Sequence, residues 1–178
     1  DISFYEDTGS TAKFFWDASA ESLGIGTSSP TFTSAYGGLH IHSTYPELHL
    51  TGTDSGSGAS DGFKINKNSA NHVYLWNYEN ANMVFATNNT ERMRIDSSGN
   101  VLVGTTGATA YNNSANVYGF NVYANGQIAS SVNNMQAAYF NRQNGDGTIV
   151  DLRKDGTTVG SIGIQSYGFE IQGESGHA

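Results

Sequence analysis

The feature that most limits what this chain can become is the shortness of its apolar runs and the regularity with which turn residues cut them off. Phe14-Phe15-Trp16, Leu39-His40-Ile41, Leu48-His49-Leu50, Val73-Tyr74-Leu75-Trp76, Met83-Val84-Phe85 and Val101-Leu102-Val103 are each too short for a helix. Phe120-Asn121-Val122-Tyr123, Ile149-Val150-Asp151-Leu152 and Val159-Gly160-Ser161-Ile162 continue the series. Between them stand Asp61-Gly62, Ser98-Gly99, Asn125-Gly126, Asp146-Gly147 and Asp155-Gly156. Gly, Asn and Asp tolerate the positive φ that tight hairpins need. The pattern predicts an all-β chain of short strands. Only Ser130 to Tyr139 has a weak helical pattern, and Asn133 and Asn134 in its middle oppose it.

Composition narrows the function. Charged residues make up 13% of the chain, against about 25% in an ordinary domain, and the aromatic share of 12% gives it rings to bury. A highly charged disordered tail is excluded. The net charge is −8 with eight Lys plus Arg, and the closest thing to a cationic cluster is Arg92-Met93-Arg94, which carries two charges. A phosphate backbone or an anionic membrane surface needs more. The absence of Cys removes thiol catalysis, thiolate metal sites and disulfides. No apolar run approaches the roughly 18 residues of a membrane span. A start at Asp1 and an end at Gly-His-Ala read as a piece of something longer.

The chain also echoes itself. Ala12 to Ser19 followed by Ser22 to Thr27 resembles Arg92 to Ser98 followed by Val101 to Thr105, with Asp17 matching Asp96 and Gly26 matching Gly104. Tyr36 to Ile41 echoes Tyr118 to Val122, and Phe63 to Asn68 echoes Val150 to Asp155 more weakly. The offsets, all near about eighty residues, read as a diverged repeat. They divide the chain into the end of one module at 1–27, a full module at 28–105 and most of a third at 106–178. Repeats in series suggest a shaft rather than an enzyme. Val101-Leu102-Val103 is apolar on both faces, as expected of a strand with neighbours above and below it. In Leu23-Gly24-Ile25-Gly26 the two Gly share one face, which fits close approach by a neighbouring backbone or an ordinary bulge.

Thr90-Glu91-Arg92-Met93-Arg94-Ile95-Asp96-Ser97-Ser98-Gly99-Asn100-Val101-Leu102-Val103-Gly104-Thr105-Thr106 resembles the recurrent segment of bacteriophage tail-fibre and tail-spike stalks. Ser22 to Pro30, with Gly24-Ile25-Gly26-Thr27 ahead of Ser29-Pro30, resembles the commoner ending of that block. Arg153 to Gly163 resembles the block that precedes a C-terminal intramolecular chaperone. The resemblance implies an elongated, interwoven parallel homotrimer on the virion, outside the cell. It implies contact with other tail or baseplate proteins and with a host surface glycan or protein receptor, and no chemistry in this segment. The self-cleaving Ser/Lys centre of such chaperones has no match here. Two other readings share the same physics: a secreted bacterial adhesin or sheath fibre, and the non-catalytic stalk of a polysaccharide-degrading tail spike.

Three features are candidate sites. Tyr74, Trp76 and Tyr78 fall on one strand face, where they would either stack on sugar rings or be buried in a core or an inter-subunit seam. His40 and His42 also project together, and three such pairs on a trimer axis would offer six nitrogens to a transition-metal ion. A hairpin at Ser43 to Pro46 would instead set His49 beside His40. Gly58-Ala59-Ser60-Asp61-Gly62 matches a nucleophile-elbow pattern, but neither an apolar strand before it nor a helix after it is predicted, so the stretch reads as a flexible surface loop. The carboxylates Asp54, Asp61, Glu79, Asp96, Asp146 and Asp151 are scattered and read as solvated turn and strand residues.

Overall fold

In the computed structural model the described residues are 1–7, 9–10, 12–33, 36–109, 118–166 and 168–173. Among them there are fifteen strands in four sheets and no helix. The chain divides into two compact units, Asp1–Met83 and Val84–Ala178. The division falls inside the 28–105 stretch, and positions 110–117, 167 and 174–178 of the 106–178 stretch lie outside the described residues.

The first unit opens with β1 (Ile2–Tyr5), β2 (Ala12–Asp17), β3 (Ser22–Ile25) and β4 (Leu39–Ile41), side by side in chain order. All pairs are antiparallel except β3 with β4, which is parallel and so requires a crossover, supplied by positions 26–38. The register aligns Ile2, Trp16, Leu23 and Leu39 in one row and Phe4, Phe14, Ile25 and Ile41 in the next. Rows two residues apart share a face, so this front face is wholly apolar. The back face carries Phe15, Gly24 and His40, and Thr31 and Phe32 of the crossover lie against it. A Cβ at Gly24 would meet the Thr27 carbonyl at 2.4 Å, and one at Gly26 (φ 76°) would meet the His42 carbonyl at 2.2 Å. The neighbour that needs these glycines is therefore the chain's own backbone.

The same unit holds β5 (Glu47–Leu50), β6 (Phe63–Lys67) and β7 (Val73–Asn77) in an antiparallel sheet. Its front rows are Leu48-Ile65-Leu75 and Leu50-Phe63-Asn77, and its back rows are Glu47-Asn66-Tyr74 and His49-Lys64-Trp76.

A five-stranded sheet begins at the division: β8 (Met83–Thr87), β9 (Thr90–Ile95), β10 (Val101–Val103), β11 (Gly119–Val122) and β12 (Ile128–Ser131). Met93, Val103 and Phe120 line up on its front, as do Ile95, Val101, Val122 and Ile128. On the back stand Arg94, Leu102, Asn121 and Ala129. The turn after Val103 covers this side: Asn121 Nδ2 donates to the Gly107 carbonyl (3.3 Å) and Tyr123 Oη to the Ala108 carbonyl (2.7 Å). Leu102 is 1% exposed as a result, while Val103 stays 40% exposed. The strand is thus closed on one side by its own chain and open on the other.

The last sheet is β13 (Gly147–Lys154), β14 (Thr157–Gln165) and β15 (Gly168–Gly173). Val150-Ile162-Ile171 and Gly147-Ile164-Phe169 form its front, and Thr148-Gly163-Glu170 and Asp151-Ser161-Gln172 its back.

Turn chemistry follows the sequence in part. Asp155 and Gly156 both have positive φ (49° and 81°), as a two-residue hairpin requires. Ser98-Gly99 and Asn125-Gly126 also close hairpins. Asp61-Gly62 and Asp146-Gly147 instead lead into β6 and β13, and Asn88-Asn89 makes an unforeseen hairpin between β8 and β9. The Ser130 to Tyr139 stretch is not helical: β12 runs out and Asn134 takes φ 53°.

The β2–β3 and β9–β10 hairpins share their hydrogen bonds. Asp17 Oδ1 accepts from the Ser19 and Ala20 amides (both 3.0 Å), and Asp96 Oδ1 from the Ser98 and Asn100 amides (both 2.9 Å). Gly26 N–H donates to the Lys13 carbonyl and Gly104 N–H to that of Arg92, each at 2.9 Å. The following strands differ, β4 running parallel to β3 and β11 antiparallel to β10. The Ser19 hydroxyl, then the Ala20 amide, hold the Asp17 carboxyl below its ordinary value of 3.8. At Asp96 desolvation pushes upward, but the Asn100 side chain and the Asn100 and Ser98 amides outweigh it. A depressed folded pKa gives stability that is complete above the unfolded value and lost as pH falls through the folded one. Thermal melts between about pH 6 and pH 2 should therefore show acid destabilisation. Asp96→Asn should flatten that dependence, and an unchanged slope would remove the turn carboxylate as its cause.

Candidate functional site

The largest feature of the surface is the set of four apolar front faces. Among the described residues Ala12 and Leu102 are the only hydrophobic side chains that are fully buried. Ile2, Phe4, Leu39, Leu48, Leu75, Phe120, Phe169 and Ile171, all front-face residues, are exposed. Apolar faces left open to solvent across several strands mark contact with another molecule.

The aromatic ladder lies on the opposite side. Tyr74, Trp76 and Tyr78 stack along β7 and just beyond it, with centroids 5.7 and 5.8 Å apart and planes within 19° and 20°. Neighbouring rings turn their faces on one another, so the ladder presents ring edges outward more than open faces. Lys64 Nζ sits 5.3 Å from the Tyr78 centroid, within cation–π range. Lys64 is 7% exposed, and its ammonium donates to the Ala59 carbonyl (2.7 Å) and pairs with Glu47 Oε1 (3.3 Å). His49 Nε2 bonds the Asp61 carbonyl (2.7 Å), and Gly62 N–H donates to Glu79 Oε1 (2.8 Å). These contacts latch the loop at 51–62 against the back of the β5–β7 sheet. The sequence suggested a flexible loop; the latch residues Lys64 and His49 were missed there. Their one signal was a cation and an imidazole alternating with apolar residues in short strands.

His40 and His42 do project together, with ring centroids 5.9 Å apart. His40 stands in the back row with Phe15 and Gly24, its Nδ1 accepting from Thr31 N–H (3.2 Å) and its ring edge-on to Phe32. The Ser43 to Pro46 hairpin does not form: β4 pairs with β3 and β5 with β6, which separates His49 from His40. Ser60 lies in the latched loop, which leads into strand β6 and not into a helix. Among the described residues no three His, Cys, Asp or Glu side chains gather as metal ligands do. No helix there is long and apolar enough to cross a membrane. Compared with family models, curated proteins and solved structures, the chain matches none.

Proposed function

We propose that this chain is a structural, catalytically inert segment of a bacteriophage tail fibre, shaft or receptor-binding, that serves host attachment from the virion. Three parallel copies bring their front faces together, and the backs look outward to a host glycan or protein receptor and to other tail or baseplate proteins. The observation that carries the reading is that all four sheets leave an apolar face uncovered while three of them cover the back with their own loops. The number three and the viral context rest on the tail-fibre resemblance of the blocks around Arg94 and Leu23. In such an assembly His40 and His42 point away from the axis, so an axial metal is not part of the proposal. Tyr74, Trp76 and Tyr78 face outward, where a receptor could meet them. Antibody raised against the purified chain, imaged on particles released by cells carrying the gene, should decorate tail-attached fibres. Label confined to filaments on the cell surface would overturn the viral reading.

A further inference from the structure

One back face is unlike the others. The crossover covers the first sheet, the latched loop the second and the 105–109 turn the third, but among the described residues no such loop caps β13-β14-β15. Its back is hollowed into a cavity of about 260 Å³. The hollow follows from the register: Gly163, without a side chain, lies between Thr148 and Glu170, and small Ser161 lies beside Gln172. Gly163 also admits the neighbouring strand, since a Cβ there would meet the Gly147 carbonyl at 2.5 Å. Glycine within a strand often marks close approach of a backbone or a ligand; here the backbone of Gly147 and Thr148 makes the close approach, and the hollow opens beside it.

We propose that this cavity binds a neutral sugar unit. Asp146 Oδ2 accepts from the Ser166 amide (2.6 Å) and Glu170 Oε1 from Gln172 Nε2 (2.7 Å). Asp146 Oδ1 and Glu170 Oε2 take no hydrogen bond from the described residues, so the cavity presents carboxylate oxygens that need donors. An anion is disfavoured: Asp146 and Glu170 line the space, and the Arg142 guanidinium beside Gly147 is engaged by the Gly145 and Thr148 carbonyls. A calcium ion wants roughly six to eight oxygens, and two carboxylates do not build that cage. Hydroxyl groups fit: carboxylates accept from them, the Gln165 and Gln172 amides both donate and accept, and Thr148 and Ser161 add hydroxyls. The volume is below the roughly 300–1,000 Å³ of sites for drug-sized ligands, which suits one pyranose ring. The inference rests on the proposed assembly in one respect: front residues Ile162 and Ile171 turn inward and leave the hollow outside.

The test is titration of the intact assembled chain with glucose, galactose, mannose and N-acetylglucosamine, followed by calorimetry or ligand-observed NMR, with mass measured in the same samples. At least one sugar should bind saturably, with a dissociation constant on the order of 1 mM. Glu170→Ala and Gln172→Ala should each weaken it at least about tenfold while leaving the assembly intact. No saturable binding by an assembled chain overturns the site. So does binding that Trp76→Ala abolishes and Glu170→Ala leaves unchanged, or uptake of calcium alone. Sugar binding by a monomer would support the cavity and overturn the assembly, so the two failures are distinguishable.

Discussion

In solution the chain should sediment at three times its 19.0 kDa mass and yield no folded monomer on dilution. The exposed apolar rows are of the kind a permanent interface covers: Ile2-Trp16-Leu23-Leu39 is continuous across four strands. Folding and association should be lost in one transition whose midpoint rises with chain concentration. Ile162→Asp puts a charge in the centre of the Val150-Ile162-Ile171 row. Buried without a partner, that charge should abolish assembly and fold together. Asn125→Asp, at an exposed turn, should leave both intact. Analytical ultracentrifugation with circular dichroism on the same samples checks this. A folded monomer, in the native chain or in Ile162→Asp, would overturn obligate association. A dimer would keep the meeting of front faces and overturn the number three.

Much of this fold was legible because strand side chains alternate and turn residues are few in kind. Short runs such as Phe120 to Val122 became strands, and Asp155-Gly156 became the hairpin its φ preferences allow. What was not legible depends on pairing at a distance. His40 and His42 are a strand pair in any register, but only the alignment of His40 with Gly24 puts them on the back. The parallel run of β4 beside β3 is set by the crossover, whose path follows from close backbone contacts at Gly24 and Gly26. Val101-Leu102-Val103 reads the same on both faces, yet the chain itself covers only Leu102. Lys64 shows the same limit: a lysine in a strand normally points to water, and its burial depends on a carbonyl five residues away.

The contrast within the five-stranded sheet gives the sharpest energetic prediction. Leu102 is buried by its own chain, through the 105–109 turn, so Leu102→Ala should cost about 2–5 kcal/mol per chain in any state of assembly. Phe120 pairs with Val103 on the opposite face and is 43% exposed in the single chain. If the chain stood alone, Phe120→Ala would remove a half-solvated ring and cost well below the roughly 3–5 kcal/mol of a buried Phe→Ala change. If front faces meet, the ring is enclosed by other copies and the cost reaches that range, matching or exceeding Leu102→Ala. Val103→Ala, its register partner, should then be costly too, and the pair should be non-additive because the two side chains share one contact. Equilibrium unfolding in guanidinium at one fixed chain concentration compares the variants directly. A Phe120→Ala cost near that of an ordinary surface change, beside a large one for Leu102→Ala, would show that the front of this sheet stays in water.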